Sequence, residues 1–264
     1  MITQTLSTLL RLRLTVGYAA ALVAVATTLL VLGPGVQDHV IRHMSTNLHN
    51  LGHGRLVTLI GSAFVIAEGP MWVWLPGLVC LLGLAELLWR SRRVLITFVL
   101  GHVGATLIVA AALGTAIEVG WLPISIARAT DVGMSYGAAA VLGALTAAIP
   151  SRWRPAWIGW WVSVSMLMVY VGTDFSNGGH FVALLLGILL SIRFGAVAHW
   201  TRARVALLVV SISFGYLILV NTGLSLFVVP IVGVAGALAA HWVARWWRAR
   251  PARAAVPVAA PVTT

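Results

Sequence analysis

Two residues in apolar surroundings have the chemistry of a nucleophile and a base. Ser135 lies in Asp131-Val-Gly-Met-Ser-Tyr-Gly137, and His180 lies in Asn177-Gly-Gly-His180. A serine hydroxyl is a weak nucleophile until a nearby imidazole takes its proton, and a Ser–His pair within hydrogen-bond reach supplies that step. Each residue heads a row of small side chains at i, i+4 spacing. Ser135, Ala139, Gly143 and Ala147 form one row, and Gly179, Ala183, Gly187 and Ser191, one position from His180, form the other. Such rows let membrane helices approach backbone to backbone, so facing rows would bring Ser135 and His180 together. Each feature also has a commoner structural role. A serine in a membrane helix usually bonds its own i−4 carbonyl. A lone intramembrane histidine usually bridges helices, and small rows usually serve packing alone. The coincidence of all three at one depth singles out this pair.

Other constellations are weaker. His39 with His43 and His49 with His53 have the i, i+4 spacing of two metal ligands on one helical face. Only Asp38 is near enough to join them, so they read as histidines at the headgroup level, and no metal or other cofactor is expected. His102 reads as a packing residue or polar crossing contact. Glu86 and Arg90 read as an interfacial i, i+4 pair. Clustered tryptophans, among them Trp153, Trp157, Trp160, Trp161, Trp242, Trp246 and Trp247, read as an aromatic belt.

The elements that must position the pair follow from composition. Of 264 residues, 60% are apolar and 9% charged, against roughly 25% charged in a soluble domain. Lipid must therefore be the solvent, and the chain reads as an all-α polytopic membrane protein. Apolar runs of about bilayer length cover about 13–32, 71–89, 94–117, 132–149, 156–173, 178–198, 204–220 and 224–246, the last two separated by Asn221-Thr222-Gly223. The net charge of +11 comes from arginine alone. With the N-terminus inside, 14 of the 17 arginines fall on inside segments, leaving Arg42, Arg55 and Arg128 outside, as the positive-inside bias requires. Five acids, Asp38, Glu68, Glu118, Asp131 and Asp174, fall outside or at outer ends. This places both termini in the cytoplasm, most simply at a plasma membrane. The arginines then meet lipid headgroups, and no nucleic-acid partner is expected. The first run lacks a small-x-small cleavage site and reads as an uncleaved anchor. The first loop places Val36, Val40, Ile41, Met44, Leu48 and Leu51 at near-helical spacing, which predicts an interfacial amphipathic segment. The Pro/Ala/Val-rich residues 249–264 read as a disordered cytoplasmic tail following a bundle of 1–248. Cys80 stands alone inside an apolar run, so no internal disulfide is possible.

From about Arg55 to Ser191 the residues resemble the rhomboid family of intramembrane serine proteases. Gly133-Met-Ser135 looks like its Gly-x-Ser-Gly motif, and Gly179-His180-x-x-Ala183-x-x-x-Gly187 looks like its sixth-helix motif. The stretch Ala85-Glu86-Leu-Leu-Trp-Arg-Ser-Arg-Arg93 resembles the acidic end of helix two and the basic turn after it. Arg55-Leu-Val-Thr58 resembles the Trp-Arg element of the first loop, with Gly54 in place of tryptophan. The resemblance implies a six-helix core over about 14–200 with about two extra C-terminal transmembrane helices. It implies Ser135 as nucleophile and His180 as general base, with Gly133, Tyr136, Asn177 and Gly179 shaping the site. Two departures stand out. Tyr136 replaces the glycine after the serine, and Pro70 and Trp74 stand where active members carry the His and Asn that bind the oxyanion. Asn177 or a first-loop histidine remain as substitutes. Two functions are thereby expected in competition. One is a cofactor-free intramembrane serine protease cutting transmembrane segments near their outer ends. The other is a catalytically silent relative that binds membrane clients for trafficking or quality control. A transporter or channel is disfavoured, because the spans lack repeated intramembrane acids.

Overall fold

The computed structural model describes residues 11–67, 71–172, 174–195, 199–220 and 225–249, with side chains from 228 onward in the last stretch. Pro70, Glu68, the Asn221-Thr222-Gly223 turn and the tail from 250 lie outside the described residues. Among the described residues all regular structure is helical. The elements are α1 (Arg13–Leu32), α2 (Pro34–Met44), α3 (Leu48–Gly52), α4 (Thr58–Gly61), α5 (Met71–Trp89) and α6 (Ser91–Glu118). They continue with α7 (Ser135–Ala144), α8 (Arg154–Val171), α9 (Ser176–Ser191), α10 (Arg202–Leu219) and α11 (Ser225–Ala249). Short 3₁₀ turns follow α4 (Ser62–Phe64), precede α7 (Ile124–Arg128) and extend it (Leu145–Ala147).

Helices form here because a chain in lipid must satisfy its backbone polar groups internally. Five of them, α1, α5, α6, α10 and the Val228–Ala249 part of α11, are long and apolar enough to cross a membrane. Two shorter apolar helices, Ser135–Ala147 and Ser176–Ser191, sit between the long ones. The sequence expectation of a span over 132–149 is therefore shortened: 131–134 is irregular backbone. This irregular backbone is held by hydrogen bonds to the first loop and lines a cavity.

The short helix α7 is the hub of the bundle. Every residue from Tyr136 to Ala148 is buried, and the helix packs against α5, α6, α9 and α10. Its contacts are made by small residues. A Cβ on Gly143 would strike the Leu184 carbonyl, and one on Gly187 would strike the Ala140 carbonyl, so α7 and α9 meet backbone to backbone. Gly101 of α6 abuts the Ala140 methyl, and Gly137 lies under the Phe98 ring. The last two helices dock in the same way. Phe214 of α10 fills the space over Gly77 of α5, beside the intrahelical Pro76, and Gly159 of α8 abuts the Gly236 carbonyl of α11. Outward faces such as Leu95, Ile96, Val99, Leu100, Leu107 and Ile108 of α6 remain exposed, as a lipid-facing surface requires.

At the arginine-rich end, the structure corrects one sequence expectation. Glu86 does not pair with Arg90. Its carboxylate accepts the N–H groups of Leu14 (3.0 Å) and Thr15 (2.9 Å), and the hydroxyls of Thr15 (2.7 Å) and Ser91 (2.5 Å). It thus caps the first turn of α1 from another helix, satisfying donors that no carbonyl within α1 can reach. Arg90 instead forms the one-residue turn between α5 and α6, with φ +70°. The tryptophans also divide. Trp72, Trp121, Trp153, Trp242 and Trp247 are exposed, but Trp161 is 1% exposed and belongs to the core rather than to a belt. The amphipathic first-loop segment is broken at 45–47 into α2 and α3, where Asn47 caps α3 by accepting the Asn50 N–H at 2.9 Å.

Candidate active site

The backbone leading into Ser135 is fixed from two sides. Thr46 donates its N–H (2.9 Å) and its hydroxyl (3.0 Å) to the Asp131 carbonyl, and the same hydroxyl lies 3.2 Å from the Asp131 carboxylate. The Asp131 N–H donates to the Ser45 hydroxyl at 2.8 Å. Two residues on, the Gly133 N–H donates to the Ser62 carbonyl at 2.9 Å. Ser62 is in turn held by α6, its hydroxyl oxygen 3.0 Å from His102 Nε2, with both residues buried. This pair is a polar contact between the first loop and α6, one of the two roles the sequence left open for His102. Gly133 has φ +127°, a conformation that side chains disfavour, so glycine suits the bend that starts α7. The first loop itself is folded around Asn50, whose side chain donates to the Arg42 and Ser45 carbonyls and accepts from Arg55.

α7 then begins at Ser135, and α9 places His180 on its second turn. Ser135, His180, Gly133 and Tyr136 line one cavity of about 560 Å³, together with Trp74, Asp131, Asp174, Ser176 and residues of α10. Its lining carries the polar side chains of Thr130, Asp131, Ser135, Asp174, Ser176 and His180. Both ring nitrogens of His180 are buried without a hydrogen-bond partner. The serine hydroxyl and the imidazole therefore share a cavity without being joined. Tyr136 lies between the helices, its ring edge-on to His180 with centroids 5.2 Å apart, and its hydroxyl end seated on Gly179, where any Cβ would collide with it. Asn177 is not among the cavity's lining residues; its side-chain amide packs on Gly172 at the end of α8.

A family model described as "rhomboid-like protein" matches residues 14–194. The chain belongs to the rhomboid-like family. No curated protein and no solved structure matches it significantly. The matched stretch takes in the helices from α1 to α9, and α10 and α11 follow it. One of these later helices reaches the site, since Leu217 and Ile218 of α10 form part of the cavity wall of this rhomboid-like protein.

In the sequence, Asp131 and Asp174 read only as acids at outer ends. The structure brings both to the cavity that Ser135 and His180 line. Burial, with a lesser contribution from the Asp174 carboxylate, pushes the Asp131 carboxyl up to about 6 against the opposing Thr46 hydrogen bond. Asp131 stands four residues before Ser135, a spacing that could have marked it. Asp174 carries no comparable signal, because the residues between it and His180 cross from a loop into α9. His39 and His43 stack on α2 with His43 Nδ1 2.9 Å from the His39 carbonyl, whereas the His49 and His53 rings are tilted to each other, with His53 Nδ1 2.7 Å from the His49 carbonyl.

Proposed function

We propose that this rhomboid-like protein is an intramembrane serine protease in which Ser135 is the nucleophile and His180 the general base. The observation that carries the reading is a cavity that both residues line, with both His180 nitrogens buried and uncommitted. Catalytic hydrogen bonds in unliganded enzymes are often long and tighten on substrate binding, so an unjoined pair is compatible with the role. In the reaction, the Ser135 oxygen attacks the scissile carbonyl while its proton passes to His180. The tetrahedral adduct collapses by expelling the amine, which takes that proton. Water, deprotonated by His180, then cleaves the acyl ester and restores Ser135.

On this reading the arginine-rich ends of the helices face the cytoplasm, and the cavity opens toward the far side of a plasma membrane. Substrates are transmembrane segments cut near that face, and no cofactor enters the chemistry. The core spans about 14–200, with α10 and α11 as additions to it. A second reading, a silent relative that binds membrane clients, draws support from Tyr136, whose ring fills the space where the protease family carries glycine. A fluorophosphonate probe applied to the purified full chain separates the two. Serine-directed labelling that is lost in both Ser135→Ala and His180→Ala is expected. Labelling that survives Ser135→Ala, or none in the parent, refutes the protease reading.

A further inference from the structure

The cavity that Ser135 and His180 line has a charge pattern opposite to that of the chain. The molecule carries 17 arginines and six acids, a net charge of +11, yet two acids, Asp131 and Asp174, and no arginine line this cavity. Asp174 is exposed and marks the mouth, whereas Asp131 is partly buried. The two carboxylates are close enough for Asp174 to oppose the ionisation of Asp131, whose carboxyl titrates at about 6 and is still charged at neutral pH. Their hydrogen-bond donors among the described residues are uncharged: Thr46 and Tyr136 on Asp131, and the Ser176 N–H, 3.0 Å from Asp174 Oδ1. A carboxylate can accept about four hydrogen bonds, so both keep capacity for more. A second observation comes from His180, which is 7% exposed, lines the same cavity and has no hydrogen-bond partner on either ring nitrogen. Acceptors thus gather around one space without a cationic donor among the described residues. Ile41, Ile66, Leu217 and Ile218 supply apolar parts of the wall. The lining complements an apolar segment that carries a positive charge.

We propose that this cavity recognises a basic residue, a lysine ammonium or an arginine guanidinium, on the membrane segment presented to Ser135, with Asp174 and Asp131 as its acceptors. The inference rests on the protease reading and names its substrate class: membrane segments with a basic residue close to the bond that is cut. Apolar side chains of the segment meet the Leu217 and Ile218 wall, while the cation meets Asp174 at the mouth and Asp131 behind it. Its N–H groups donate charge-assisted hydrogen bonds, roughly twice as strong as neutral ones, and offset the repulsion between the two carboxylates. A metal ion fits less well. Hard cations gather roughly six or more oxygens, and among the described residues no group of three or more His, Cys, Asp or Glu converges to hold one. Basic residues are scarce at the far side of most membrane segments, so a site of this kind discriminates sharply among them.

The test compares two fluorophosphonates that differ only at the end of a short alkyl chain, one ending in an ammonium and the other in a hydroxyl. Second-order rates of labelling at Ser135 are measured at neutral pH for the full chain in uncharged detergent micelles. The parent, Asp174→Asn, Asp174→Lys and Asp131→Asn are compared, each checked for folding by thermal unfolding. The quantity read is the ratio of the ammonium rate to the hydroxyl rate. A ratio of about tenfold is expected in the parent, the usual worth of one hydrogen bond to a charged group, although the net charge of the chain repels the cationic probe at long range. The ratio is expected to fall toward parity in Asp174→Asn and Asp131→Asn and to reverse in Asp174→Lys. Asp174 is exposed, so its variants decide the matter should Asp131→Asn unfold. A parent ratio near parity overturns the inference while leaving Ser135 and His180 in place. So does a folded Asp174 variant that slows both probes equally, since the acids then serve protonated His180 rather than a substrate cation. A parent labelled by neither probe at Ser135 removes the protease reading and this inference together.

Discussion

Asp131 shows how much one side chain at the cavity edge does. It fastens the first loop to the start of α7 through Ser45 and Thr46, yet burial and, to a lesser degree, the Asp174 carboxylate oppose its ionisation. The groups facing it are Thr46, Tyr136 and Asp174. Its folded-state pKa, about 6, lies above the ordinary carboxylate value. Burial therefore favours the protonated acid, and the associated stability is present at low pH and lost as pH rises through about 6. Asp131→Asn, which keeps the shape without the charge, is expected to flatten this dependence. Unfolding of parent and variant in micelles between pH 4 and pH 8 would show it, with the difference between them growing as pH rises. A constant difference across that range would contradict the assignment. Residue-scale chemistry was partly legible in the sequence. Ser135 and His180, singled out by polarity and flanking small residues, line one cavity in the structure. The partners of Glu86 were not legible, because they come from α1 and α6, across a turn whose geometry the i, i+4 rule does not foresee.

At the scale of elements, close helix contact and tight turns set the bundle. Gly187 rests on the Ala140 carbonyl, so Gly187→Val must push α9 away from α7 and carry His180 with it. Overpacking of this kind typically costs about 1–3 kcal/mol, and backbone contact leaves no flexible side chain to yield. Loss of stability measured by thermal unfolding, together with loss of probe labelling at Ser135, is the expected outcome; an unchanged unfolding temperature would contradict the packing. The turn between α5 and α6 is strained for the opposite reason. Arg90 has φ +70° and ψ 156°, a conformation close to glycine's alone that costs other residues about 1–3 kcal/mol. Arg90→Gly is therefore expected to raise the unfolding temperature although it deletes a charge, whereas Arg90→Ala should not. Helix ends were readable because apolar run lengths and arginine clusters bound them. The shortening of α7 was not, since Val132-Gly133-Met134 reads as a continuation of the apolar run, and the contacts from Ser45, Thr46 and Ser62 that hold 131–134 out of the helix come from distant parts of the chain.

At the scale of the molecule, the rhomboid-like core is completed by helices from outside the matched family segment. Phe214 on Gly77 and Ile218 in the cavity wall make α10 part of the site's enclosure. Nothing in composition or periodicity distinguished this helix from an accessory span, because docking partners of membrane helices are selected by small-residue grooves on both faces. The class of protein was legible from the apolar runs and the scarcity of charge. What the sequence could not supply is the cavity's composition, where Asp131, Asp174 and the Tyr136 hydroxyl surround the proposed pair. The central claim is that Ser135 is a nucleophile activated by His180 in that cavity. Mapping the fluorophosphonate adduct by mass spectrometry of the intact, micelle-solubilised chain tests it most directly. A single adduct on Ser135, absent from His180→Ala, is the predicted result. An adduct on any other serine, or an adduct on Ser135 that forms equally well without His180, would contradict it.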